Sequence, residues 1–346
     1  MTAQSTALLL TSLACVAVLH GGCSSDHSRL EKTPGGGGAG PGGEGGAPPT
    51  TSSGGSGGGG GIEEPPGPTK LTVVNGIVDY DAIRLCFMPY PDGGAVQPWP
   101  GTAGLGYAEA AAIDPIHDVV PDDVDVEIVV IAGALGGTDC ETLIMTPPSG
   151  ALVMSLGMLP ESVFDEEKSL LVVPNGCLGG AGHSDDALNE KVCGVGYTEF
   201  TPTASLIAGF MSRIGGADKV ALQFAQASQG GAALTVGVRA GTDGASAQLI
   251  VPEWSLGAIA PFPPFEGYAN ANLGTLENAK VEVGGAMGPA VLTTVPWSTA
   301  FANGGLTAAD VQDGSNYTFV GVGAFPGLNA GPWWNGFTVT MVPSDP

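Results

Sequence analysis

Positive charge is scarce in this sequence: 10 lysines and arginines stand against 34 aspartates and glutamates, for a formal net charge of −24. A field of that sign repels phosphate backbones and anionic lipid surfaces, which excludes a nucleic-acid role. The plainer consequence is solubility, since an acidic surface keeps an exported protein dispersed. Cysteines never occur as a Cys-x-x-Cys pair, which leaves a zinc site without its usual ligand spacing. Histidines number 4, so there is little material for general-base chemistry. The apolar run at the start, Ala7 to Leu19, is about 13 residues, short of the roughly 20 that a helix needs to cross a bilayer.

What is there begins with that run. It has the length of the apolar core of a secretory signal, although Met1 to Thr6 contains no Lys or Arg. Gly21-Gly22-Cys23-Ser24-Ser25 follows and resembles a bacterial lipoprotein cleavage site, with residues 1–22 as signal peptide and Cys23 as the lipidated first residue. His20 stands where a Leu is usual, with Leu19 one position early, and Cys15 after Ser12-Leu13-Ala14 is a rival site. Ser24 and Ser25 after Cys23, with no Asp directly following it, resemble the pattern sorted to the outer membrane. Residues 23–69 then read as a disordered linker of Gly, Pro, Ser and Thr, because such a segment has nothing to bury against its ordering entropy.

The remaining residues, 70–346, carry abundant Gly, few charges and short β-branched runs, the balance of an all-β protein with glycine turns. The fold class expected is two tandem antiparallel β-sandwich domains, 70–196 and 218–346, joined by a helix over 197–217. The helix is read from Thr203 followed by Leu206, Ile207, Phe210, Met211 and Ile214, closed by Gly215-Gly216. A tandem repeat is suggested by features in matching order. Pro98-Trp99-Pro100 and Gly106-Tyr107-Ala108 are echoed by Pro261-Phe262-Pro263 and Gly267-Tyr268-Ala269, and the strand Val126 to Gly133 by Tyr317 to Gly323. Beyond Cys15 and Cys23, four cysteines remain. An even number in an exported chain implies two disulfides with three possible pairings, of which Cys86–Cys140 and Cys177–Cys193 are favoured.

The openings Leu71 to Phe87 and Leu222 to Val238, with the later strand Asn316 to Val322, resemble bacterial domain-of-unknown-function family 4397. That resemblance implies an extracytoplasmic β-sandwich, often lipid-anchored, with no established activity and no agreed catalytic residues. Asn75 falls where family members often carry His or Asn, while Ala225 departs from the pattern.

Three residue sets invite a functional reading. Asp114, Asp118, Asp122, Asp123 and Asp125, beside His117 and Glu127, offer hard oxygen ligands of the kind that hold calcium. They read equally as a solvated acidic loop stiffened by Pro115 and Pro121, and no other cofactor is implied. Gly182-His183-Ser184-Asp185-Asp186 gathers the residue types of a catalytic triad, but neighbours on one loop rarely reach triad geometry. Trp99, Trp333 and Trp334 are the candidates for stacking on a ligand such as a sugar; the alternative is core packing, with Trp333 and Trp334 divided between core and rim. The reading is a non-catalytic, lipid-anchored envelope protein whose partners are the membrane, through its anchor, and a surface polysaccharide or an envelope protein. The rivals are an envelope hydrolase using His183 and a purely architectural protein.

Overall fold

A computed structural model describes residues 64–344 apart from 102, 134–137, 165–166, 230–232, 242–245, 268–277 and 286–289. Cys23, the signal and most of the linker lie outside the described residues, as do Tyr268 and Ala269 of the repeat. The first half contains β1 (Lys70–Val74), β2 (Gly76–Ile77), β3 (Ala82–Tyr90), β4 (Leu105–Gly106), β5 (Ala110–Ile113), β6 (Asp125–Ala132), β7 (Leu152–Leu159), β8 (Ser169–Gly176) and β9 (Ser205–Met211). The second contains β10 (Ala221–Ser228), β11 (Leu234–Arg239), β12 (Gln248–Trp254), β13 (Ile259–Glu266), β14 (Lys280–Gly285), β15 (Val291–Pro296), β16 (Asn316–Gly323) and β17 (Thr338–Pro343). Short helices α1 (Cys140–Met145), α2 (Asn189–Cys193) and α3 (Trp297–Asn303) interrupt them.

The four sheets repeat one plan. β9-β8-β1-β5 faces β4-β3-β6-β7 in the first sandwich, and β17-β16-β10-β13 faces β12-β11-β14-β15 in the second. Position by position, β1 corresponds to β10, β3 to β11, β6 to β14, β8 to β16 and β9 to β17. The fold is all-β, but it is not purely antiparallel: β1 runs parallel to β8, as β10 does to β16. The pairing of features along the sequence also shifts. Val126 to Gly133 contains β6, whose counterpart is β14, whereas Tyr317 to Gly323 in β16 corresponds to β8.

Alternation explains why the two halves cling together. Leu71, Val73, Leu170 and Val172 point into the first core with Leu85, Phe87, Ile128 and Val130. Leu222, Phe224, Tyr317 and Phe319 point into the second with Val236, Val281, Trp254 and Trp297. The opposite faces of the same strands supply a third core, in which Val74, Leu171, Val173 and Met211 meet Ala225, Ala227, Val320, Val322 and Val342. The sheets therefore stack four deep, and β8, β10 and β16 are buried along their whole length. With both faces inside, even their polar residues are buried, among them Asn175, Gln223, Gln226, Asn316 and Thr318.

The helix expected over 197–217 is instead β9, antiparallel to β8. Leu206 and Phe210 pack on the first core while Ile207 and Met211 face the third. Apolar residues on both faces of a strand in this order imitate helical spacing. The first sandwich accordingly extends to Met211. Both disulfides are present: Cys86–Cys140 holds α1 against the outer face of β3, and Cys177–Cys193 joins the end of β8 to α2. They suit an oxidising, exported environment. Among the described residues no helix is long and apolar enough to cross a membrane.

Candidate functional site

The chain leaving β2 at Ile77 passes Val78, Asp79 and Tyr80 before β3 begins. Asp79 is buried. Its Oδ1 accepts the Leu178 N–H at 3.0 Å and its Oδ2 the Gly179 N–H at 2.7 Å, which pins the start of the β8–β9 connection. That connection returns His183 to the same carboxylate, with Nδ1 3.4 Å from Asp79 Oδ2. When Asp79 is ionised it can only accept, and the contact is then a hydrogen bond donated by His183 Nδ1. Tyr80 donates its hydroxyl to Gly179 O at 3.0 Å, and Tyr197 donates to His183 O at 2.7 Å. Burial lifts the Asp79 carboxyl above its ordinary range, against the lowering effect of the Leu178 and Gly179 N–H groups and of His183. Burial, and then the Asp79 charge, pushes the Tyr80 and Tyr197 phenols up.

The second sandwich contributes the opposite wall from the β16–β17 connection. Gly331 N–H bonds Trp334 O at 3.0 Å, closing a tight turn. A Cβ at Gly331 would lie 2.1 Å from the Trp334 ring, so only glycine fits there. Trp334 is buried beside Val78, Cys177, Cys193 and Tyr197, and its indole donates to Asn329 O at 3.0 Å. Trp333, half-buried, stacks against His183 with centroids 5.8 Å apart and planes at 12°. Tyr197 lies 6.1 Å from the same indole at 19°, and Trp334 meets it edge-on at 4.9 Å. Asn335 N–H bonds Val78 O at 2.8 Å, and Tyr107 donates to Gly336 O at 2.5 Å. The seam between the sandwiches is thus fixed where the aromatic groups meet.

Between these walls lies a cleft of about 350 Å³, lined by Asp79, Tyr80, Asp81, His183, Trp333 and Asn335 among others. That volume is within the range of roughly 300–1,000 Å³ usual for small-ligand sites. Its described lining has aromatic faces, two carboxylates and an amide, with no lysine, arginine, serine, threonine or cysteine.

Of the residues singled out in the sequence, His183, Trp333 and Trp334 come together here. Trp99 does not: its backbone pairs with Leu85, and its ring packs edge-on to Phe87 at 6.3 Å on the first core. Ser184 and Asp185 do not complete a triad in their own loop. Ser184 Oγ accepts from Asn189 at 3.0 Å and Asp185 Oδ1 from Ala187 N–H at 3.1 Å, both organising the entry to α2. The carboxylate partner of His183 is Asp79, 104 residues upstream.

The carboxylates of the calcium candidate are engaged separately along the acidic loop. Asp122 pairs with His117, Asp125 accepts the Glu161 N–H at 3.0 Å, and Glu127 accepts from Ser155 at 2.6 Å. Asp118 ends the Ile116–Asp118 turn, Asp114 lies two residues before it, and Asp123 takes a left-handed backbone at φ 57°. Among the described residues no group of three or more His, Cys, Asp or Glu is arranged to hold a metal ion.

Asp79 and Tyr80 escape sequence reading because their role depends on a loop about a hundred residues later. The only local signal is an acid–aromatic–acid run, Asp79-Tyr80-Asp81, directly after a strand. No protein-family model matches the sequence, and no curated protein matches it either.

Proposed function

We propose that this chain is an exported, lipid-anchored binding protein of the cell envelope, attached through Cys23, which takes a carbohydrate in the cleft at the seam of its sandwiches. The observation that carries the reading is the indole of Trp333 at a cleft that also presents Tyr80, Asp81 and Asn335. Aromatic faces stack on the apolar faces of sugars, while carboxylates and amides meet the hydroxyls. Rigid side chains keep the entropic cost of binding low. Among the described residues the lining offers His183 and Asp79 but no serine, threonine or cysteine hydroxyl or thiol for them to activate, which favours binding over covalent hydrolysis. The reading rests on the cleft and not on the resemblance to family 4397.

Trp333→Ala is expected to weaken binding of a retained saccharide at least 30-fold, about 2 kcal/mol, as loss of a central aromatic anchor does. Calorimetry of the full chain measures it, and unchanged affinity in a variant with unchanged Tm removes the cleft as the binding site. Cys23→Ala is expected to move the protein from the membrane fraction to the soluble fraction and to abolish incorporation of labelled palmitate. Labelling that persists would place the anchor elsewhere.

A further inference from the structure

Across the 178–183 segment from the cleft lies a second depression, a groove of about 370 Å³ lined by Leu152, Met154, Leu178, Gly180, Glu199 and Phe200 among others. The two are divided at one point by bare backbone. A Cβ at Gly180 would sit 3.0 Å from Tyr80 Oη and 3.8 Å from His183 Nδ1 on the cleft side, and 3.9 Å from Leu152 Cδ1 on the groove side. The Tyr80 hydroxyl, which donates to Gly179 O at 3.0 Å, and the His183 ring border this divide on the cleft side, and Leu152 borders it on the groove side.

Phe200 stands over this groove and is 82% exposed. A single exposed aromatic is ordinarily unremarkable, but this one is held. Thr198 and Thr201 exchange backbone hydrogen bonds at 3.3 and 3.0 Å, and Phe200 N–H bonds Thr198 Oγ1 at 3.3 Å. Glu199 then bolts the turn to the dividing segment, its carbonyl accepting Gly180 N–H at 2.9 Å and its carboxylate accepting Gly182 N–H at 3.0 Å. The ring is therefore presented on a turn tied to the rim of the cleft, and its main chain has little freedom left to lose on contact.

We infer that cleft and groove form one continuous site for a linear polysaccharide, with Trp333 and Phe200 as separate stacking positions along the chain. This rests on the carbohydrate reading of the cleft and goes beyond it by fixing the ligand as a polymer. The negative formal charge of the chain and the carboxylates Asp81 and Glu199 select a neutral or amino-bearing polymer over a uronic-acid or phosphate-bearing one.

The test uses the full chain with cello-, chito- and manno-oligosaccharides of two and six sugars, titrated by calorimetry. In the series that binds, the hexasaccharide is expected to bind at least ten-fold tighter than the disaccharide. Phe200→Ala should abolish that ratio without changing disaccharide affinity, Phe200→Tyr should restore it, and Trp333→Ala should weaken both lengths. Equal affinity for both lengths, or a ratio that survives Phe200→Ala, overturns the extended site while leaving the cleft intact. Absence of binding in every series overturns the carbohydrate reading of the cleft and the extended site together.

Discussion

Replacing Arg213 with methionine is expected to lower the unfolding free energy by about 3 kcal/mol. Arg213 follows β9 and is 1% exposed. Its Nε donates to Ser169 Oγ at 3.0 Å, Nη1 to Gly67 O at 2.9 Å and Glu167 O at 2.6 Å, and Nη2 to Pro68 O at 2.6 Å. Methionine fills much of the same volume but donates nothing, so three carbonyls and a hydroxyl lose a charged donor. Hydrogen bonds to a charged group contribute about 1.5–3 kcal/mol each, and relief from burying the guanidinium offsets part of the loss. In a unit of this size the shift in Tm is roughly 2 °C per kcal/mol. Limited proteolysis supplies a local readout: cleavage between residues 64 and 69 should accelerate ahead of global unfolding. Equal Tm and equal cleavage for wild type and variant would show that the guanidinium is not what holds this segment.

Asp79→Ala is expected to cost about 2–3 kcal/mol, since it strips the buried Leu178 and Gly179 N–H groups of their acceptor and His183 of its partner. Its pH dependence identifies the carboxyl. Burial lifts Asp79 above its ordinary value of 3.8, so between that value and the folded one the native state holds a proton that the unfolded chain has released. The stability Asp79 contributes is fully present below the unfolded pKa and is lost as pH rises through the folded pKa. The Tm gap between wild type and Asp79→Ala should therefore narrow as pH rises from about 4 towards neutrality. A gap that widens over that interval would mean that the N–H groups and His183 outweigh burial and hold the carboxyl low.

Much of the fold is legible in local pattern. Lys70 to Val74, Ala82 to Phe87 and Ser169 to Val173 carry β-branched or alternating apolar residues, and each lies in a strand. The disulfide partners are also accessible, because the four cysteines beyond Cys15 and Cys23 allow only three pairings. What misleads is residue order that serves two cores at once. In β9, Leu206 and Ile207 are neighbours because one faces each core, and Phe210 with Met211 repeats the arrangement four residues on. No window confined to that segment contains the information that a second sheet lies behind it. The cleft fails to show for the same reason on a larger scale. Trp333, Trp334 and His183 are conspicuous in the sequence, but Asp79 gains meaning only when β8 and β2 pair at Asn175 and Gly176 and bring the two connections together.

The third core joins equivalent faces of equivalent sheets: β1, β8 and β9 on one side, and β10, β16 and β17 on the other. An isologous dimer has that arrangement, here carried on a single chain. The cleft follows the same correspondence, with His183 and Tyr197 in the β8–β9 connection and Trp333 in the β16–β17 connection. In a true homodimer any change in one of these loops would appear twice, once on each side of the axis. Covalent linkage removes that restriction, so one loop can specialise in a buried acid–imidazole pair and its counterpart in a paired indole. Asymmetry at a symmetric junction is what two copies in one chain permit and two identical subunits do not.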